Sequence, residues 1–281
     1  MTIPTFHWND WTLDSLLDAR RETTVSLVVP ARNEAATVGD VVTRVRERLV
    51  DTARLLDEVV VIDSDSTDDT SAVAVDAGAV VHRAAEIRPD LGTHPGKGEA
   101  MWKSLFVTKG ELIVFMDADL LDWDPHFVPG LLGPLLTAPG VELVKGFYER
   151  PLGDAPYEGG RVTELVARPL ISLLFPDLAG LHQPLAGEWA VRRSLFESLS
   201  VPTGYAVELA ALIDTAATTG AEAIAQVDLG RRTHRHQSLR DLGGMARQLM
   251  AMALGRAGVA PDVLARGTDA PAERPPVRGL A

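Results

Sequence analysis

The sequence predicts an α/β protein built on a doubly wound, mostly parallel sheet, with a Rossmann-like first half and a mixed second half. Three observations carry this. Strand and helix patterns alternate from Val25 to Met116, as right-handed βαβ units do. The strand patterns are nearly unbroken apolar runs, which suits strands covered on both faces. Acids, hydroxyls and a lysine gather where those runs end or a helix starts, at the carboxyl edge where open α/β sheets bind ligands.

The elements follow in order. Residues 1–22 hold Trp8 and Trp11 before a short amphipathic stretch and read as a packing arm. Strands are expected at Val25–Val29, Glu58–Ile62, Ala79–His82 and Glu111–Met116. Helices are expected at 34–50, 68–77 and 97–109. The pattern then loosens. Helices are read at 127–136, 162–174 (despite Pro169), 205–219 and 239–254, and strands at 141–148 and 223–229. From Gly267 the chain is Pro-, Gly- and Arg-rich and reads as a flexible tail. The expected organisation is an arm over 1–22, a first half over 23–120, a second over 121–258 and a tail over 259–281.

Composition narrows the function. Lys and Arg number 27 against 39 Asp and Glu, a net charge of −12. A chain that acidic is a poor general binder of nucleic acid or anionic membrane. There is no cysteine, so disulfides and thiolate metal sites are excluded. The N-terminus has no apolar signal core, and no stretch reaches the ~20 apolar residues of a membrane span. A cytoplasmic protein is expected. The apolar face of Leu239 to Leu254 could serve a homodimer.

Several clusters carry chemistry. The run Leu112 to Met116 ends in Asp117-Ala118-Asp119. Two carboxylates one residue apart can reach one divalent cation that holds a diphosphate, although an acidic turn has the same spelling. Asp63-Ser64-Asp65 is a second such pair, but Asp68 and Asp69 commit that cluster to a helix start. Asn33, after Pro30-Ala31-Arg32, is equally a helix N-cap or part of a nucleotide cradle. Lys97 lies between Gly96 and Gly98 at a helix start, an anion-binding geometry, yet alone it is a loop lysine. Gly160-Arg161-Val162-Thr163 opens another helix that suits a phosphate or carboxylate. Glu208 falls among apolar residues, which is costly unless it is paired or functional. The run Arg231 to His236 is basic in an acidic protein. By default it is a solvated loop, and its histidines suit a metal beside carboxylates.

Taken together these residues resemble a known family. Pro30-Ala31-x-Asn33-Glu34, Asp63-Ser64-x-Ser66-Thr67-Asp68-Asp69-Thr70, Pro95-Gly96-Lys97-Gly98-Glu99-Ala100 and Asp117-x-Asp119 look like a GT-A glycosyltransferase. The runs from Gly160 to Leu170, Gln183 to Glu188 and Ala223 to Gly230 narrow the resemblance to the glucosyl-3-phosphoglycerate synthases and the similar retaining mannosyl enzymes. The resemblance implies a GT-A fold with a donor half and an acceptor half. It implies retaining hexose transfer from a nucleotide diphosphate sugar to the 2-hydroxyl of 3-phosphoglycerate, with Mg²⁺ or Mn²⁺. UDP-glucose is the expected donor, and GDP-mannose is the alternative. By the family pattern Pro30, Arg32, Glu34 and Ser64 face the uridine, and Lys97 meets the diphosphate. Asp119 and His234 ligate the metal, with Ala118 and Asp117 on the donor beside them. Leu185 and Glu208 face the hexose. Gly160, Arg161, Val162 and Thr163 hold the phosphoglycerate, with His236 near it. Three positions depart: Arg32 for a frequent Leu, Ala118 for the usual Ser, and His236 for an Asn. A nucleotidyltransferase and an inactive sugar-nucleotide binding module are the competing readings.

Overall fold

The computed structural model describes residues 3–149, 160–232, 239–260 and 272–280. In chain order the elements are β1 (Thr5–His7), α1 (Leu13–Arg20), β2 (Val25–Ala31), α2 (Val38–Val45), β3 (Glu58–Asp63), α3 (Thr70–Asp76), β4 (Val80–Arg83), α4 (Lys97–Ser104) and β5 (Leu112–Phe115). Then come α5 (Phe127–Thr137), β6 (Leu143–Glu149), α6 (Arg168–Leu174), β7 (Trp189–Arg192), α7 (Arg193–Phe196), β8 (Val201–Pro202), α8 (Val207–Thr219), β9 (Ile224–Arg231), α9 (Leu239–Arg256) and β10 (Glu273–Arg274).

Eight strands form one sheet in the order β1-β9-β6-β7-β5-β2-β3-β4. Neighbours run parallel except at β7, which lies antiparallel between β5 and β6. Side chains alternate across the sheet. Leu27, Val29 and Val61 join one core with α2 and α5. Val28, Val60 and Phe115 join the other with α4 and α8. Both faces are covered, which is why the central strands read as apolar runs. No helix among the described residues is long and apolar enough to cross a membrane.

The structure corrects several expectations. Part of the N-terminal arm is a strand, for β1 pairs with β9 through Phe6 and Val227. The helix expected over 34–50, α2, begins only at Val38 and passes into a π turn over Arg46–Thr52. The α4 helix stops at Ser104, whose carbonyl accepts from Thr108 N at 3.0 Å and Thr108 Oγ1 at 2.7 Å. Pro169 sits in the first turn of α6, where its missing N–H is harmless, and a π turn over Thr163–Ala167 precedes it. The strand β7 was not expected. The flexible tail is corrected over residues 272–280. There β10 pairs antiparallel with β8, and Arg274 is buried.

Candidate active site

The loops after β2, β3 and β5 and the starts of α4 and α8 open onto one cleft of about 490 Å³, a size that suits a small-molecule ligand. Pro30, Arg32 and Glu34 come from the first loop, Ser64 from the second, and Asp117, Ala118 and Asp119 from the third. Lys97 opens α4, and Glu208 lies in the first turn of α8. Gly160, Arg161, Val162, Thr163 and Leu185 line the same cleft from the second half. His234 and His236 lie outside the described residues.

The floor of the cleft is a chain of charges. Lys97 Nζ stands 2.6 Å from Asp117 Oδ1 and 2.6 Å from Glu208 Oε1. Burial pushes its ammonium down in pKa, but the two carboxylates outweigh this and hold it above the ordinary lysine value. Burial likewise pushes the Asp117 carboxyl up, and Lys97 and Arg232 reverse it to well below the usual range. Arg232 Nη2 reaches Asp117 Oδ2 at 3.3 Å and Asp119 Oδ1 at 3.2 Å. Its Nη1 donates to Glu188 Oε2 at 2.8 Å and to the Tyr148 hydroxyl at 2.6 Å. Asp119 differs from its neighbour. Burial and the charge of Asp117 raise its pKa, and Arg232 and Lys97 offset this only in part. A divalent cation would relieve that excess of negative charge, and a carboxylate oxygen is the hard donor that Mg²⁺ or Mn²⁺ takes. Among the described residues no group of three or more His, Cys, Asp or Glu side chains is placed to hold one metal ion.

Two glycines let the parts approach. Gly96 has φ +126°, and a Cβ there would lie 2.3 Å from the Thr203 carbonyl oxygen. Only glycine serves there, and it seats the Lys97 turn against the start of the α8 segment. A Cβ on Gly187 would fall 2.1 Å from Asp117 Oδ2. The loop that carries Leu185 is thus packed directly on the acid. Lys145, fully buried in β6, donates to the Ala186 carbonyl in that same loop. Burial pushes its pKa down to about 7, against the pull of Glu208.

The chain and its fold are similar to known proteins. Residues 26–199 match the sequence profile of glycosyl transferase family 2. The glucosyl-3-phosphoglycerate synthase of Mycobacterium tuberculosis H37Rv is 48% identical over 262 residues, 91% of this chain and 80% of that protein. That of Mycolicibacterium smegmatis is 50% identical, over 90% of this chain and 84% of its own length. The chain belongs to the glucosyl-3-phosphoglycerate synthase family. A solved structure of the M. tuberculosis enzyme in complex with Mn²⁺, UDP-glucose and phosphoglyceric acid superposes with a TM-score of 0.90 at 43% identity, covering 99% of both chains. Another holds Mg²⁺ and UDP, with a TM-score of 0.89 at 43% identity, again covering 99% of both chains. The mostly parallel sheet, with its single antiparallel strand β7, is therefore the GT-A-like fold of a glucosyl-3-phosphoglycerate synthase.

Within that family fold, some residues do other work than their types suggested. Asn33 is no N-cap. It has φ 58°, and its Oδ1 accepts from Thr67 N at 2.8 Å, tying the first loop to the second. Asp63 points inward and accepts from Ser66 N at 3.0 Å and from the Ser71 hydroxyl, so it shapes the loop that presents Ser64. Other residues were missed. Arg232 lines the cleft, as do Tyr205 and Gln248. Arg232 was visible only as one member of a basic run, and Glu188 only as the end of a motif. Nothing in the spacing links the two.

Proposed function

We propose that this chain transfers glucose from UDP-glucose to the 2-hydroxyl of 3-phosphoglycerate, with retention, giving glucosyl-3-phosphoglycerate. One observation carries the reading. A single cleft joins the Lys97–Asp117–Glu208 cluster to the helix start at Gly160, Arg161, Val162 and Thr163. Both substrates are anionic, and in a chain of net charge −12 this cleft gathers Arg32, Lys97, Arg161 and Arg232. Such a local positive cluster attracts and orients phosphates.

In this reading Pro30, Arg32, Glu34 and Ser64 face the uridine, Asp117 and Ala118 lie along the donor, and Lys97 meets its diphosphate as a full cation. Asp119, with His234, would hold Mn²⁺ or Mg²⁺, which when bound neutralises the departing diphosphate. Arg161 and the first backbone N–H groups of its helix take the phosphate and carboxylate of the acceptor. By the family pattern His236 belongs to the acceptor side. Leu185 and Glu208 face the hexose. Glu208 is tied to Lys97, so it positions sugar hydroxyls and does not attack C1. The acceptor oxygen bonds to C1 on the face from which the diphosphate leaves; the C1–O bond to the diphosphate breaks with its electron pair on the leaving oxygen, which takes the proton of the acceptor hydroxyl. Holding both partners in one cleft makes their encounter effectively intramolecular and lowers the barrier. The exposed Leu165, Leu173 and Met250 support a homodimer.

The test is a panel of UDP-glucose and GDP-mannose against 3-phosphoglycerate and glycerate, with Mn²⁺ and with Mg²⁺. UDP release that requires 3-phosphoglycerate, with an α-linked product by NMR, is the expected result. Faster turnover of GDP-mannose would move the assignment to the mannosyl reaction. Pyrophosphate release from a nucleoside triphosphate would overturn it.

A further inference from the structure

Arg274 lies far from the cleft in sequence, in a stretch whose composition suggests no structure. In the fold it is one of the most heavily bonded side chains. Its Nε and Nη2 each reach a Glu99 carboxylate oxygen at 2.6 Å. Its Nη1 and Nη2 donate to the carbonyls of Leu91 at 2.8 Å and Gly92 at 3.0 Å. The guanidinium stacks 4.8 Å from the centre of the Trp102 ring, and Trp102 Nε1 donates to the Pro275 carbonyl at 2.9 Å. Glu99 is 1% exposed and Arg274 6%.

The connections run from this pair straight to the donor side. Glu99 is two residues past Lys97 on α4. Leu91 and Gly92 begin the loop that ends in Pro95 and Gly96. Beside them β10 pairs with β8, and Thr203 N donates to the Ala272 carbonyl at 2.9 Å. The next carbonyls of that strand receive the start of α4: Thr203 O accepts from Glu99 N at 3.0 Å, and Gly204 O from Gly98 N at 3.2 Å. Four residues after Gly204 comes Glu208, 2.6 Å from Lys97 Nζ.

We propose that Arg274 is a positioning residue for the donor site. Through Glu99 and β8 it fixes the two backbone segments that bring Lys97 and Glu208 together. A buried bidentate guanidinium–carboxylate pair suits this, because its planar fork defines both distance and orientation. The inference rests on the reading of the cleft given above.

The experiment compares wild-type enzyme with Arg274→Ala and Arg274→Lys. It measures KM and kcat for UDP-glucose and for 3-phosphoglycerate, with and without added guanidinium ion. In Arg274→Ala the KM for UDP-glucose should rise about ten- to a hundredfold, with the acceptor KM within about twofold of wild type. Guanidinium should recover part of the loss, and Arg274→Lys should show a smaller donor defect. If Arg274→Ala does not fold, Arg274→Lys decides on the same criterion. A folded variant with an unchanged donor KM, or with both KM values shifted together, overturns the proposal. Failure of the wild-type enzyme to use UDP-glucose would instead overturn the functional reading.

Discussion

The donor loops and the second half of the sheet hold their functional residues in opposite ways. Around β2 and β3 the supports are hydrogen bonds within and between neighbouring loops, Asn33 to Thr67 and Ser66 to the buried Asp63 carboxylate, with ion pairs such as Arg46 and Asp51 left at the surface. Across β6, β7 and the end of β9 they are buried ions: Lys145 and Arg232 are each 2% exposed, and Glu188 is 0%. Loops at a parallel sheet edge stand on strands that the core already fixes, so hydrogen bonds between the loops suffice at β2 and β3. The second half lacks that regularity, and like α4 with its Glu99–Arg274 pair it depends on buried charges that are tolerable only in pairs.

The comparison fails if the buried ions prove dispensable. Glu188→Ala leaves Arg232 buried without its main partner, and removing one member of a buried pair costs about 3–5 kcal/mol. Urea unfolding should show that loss. A loss as small as that of a surface pair would erase the distinction.

Lys145 gives the distinction a pH signature. Its folded pKa is about 7, against the ordinary 10.5. Between those values the unfolded chain binds a proton that the folded chain lacks, so stability rises with pH across this window. Below about 7 the folded state carries the full penalty of the buried charge. Lys145→Met should remove a slope of up to about 1.4 kcal/mol per pH unit, read from unfolding curves at pH 7 and pH 9 in EDTA. Equal slopes in both proteins would show that Lys145 stays charged.

The smallest effect belongs to the first half. Asp51→Ala breaks an exposed pair with Arg46 and should change stability by no more than about 0.5 kcal/mol in the same assay. A loss of several kcal/mol there would put the two halves on equal footing.

The same contrast explains what could be read from the chain. Lys97, Asp117 and Asp119 were legible because each follows an apolar run or opens a helix at the sheet edge. The parallel pairing among β5, β2, β3 and β4 agrees with the βαβ alternation, whereas their order came from the structure. Arg232 was hidden because its partners Glu188 and Asp117 lie 44 and 115 residues away. Arg274 was hidden for the same reason, 175 residues from Glu99, inside a composition that suggests no structure. The strands β8 and β10, two residues each, are too short for any period to appear. What escapes a linear reading is long-range ion pairing and brief strand segments that only neighbouring chain defines.

In the proposed reading one cleft holds the nucleotide over the first-half loops and the acceptor against Arg161 in the second half. Steady-state kinetics of Arg161→Ala test it most directly. The account predicts that the KM for 3-phosphoglycerate rises at least about tenfold, the loss of a charge-assisted contact to phosphate, while the KM for UDP-glucose stays near wild type. A raised KM for UDP-glucose with the acceptor KM unchanged would contradict it.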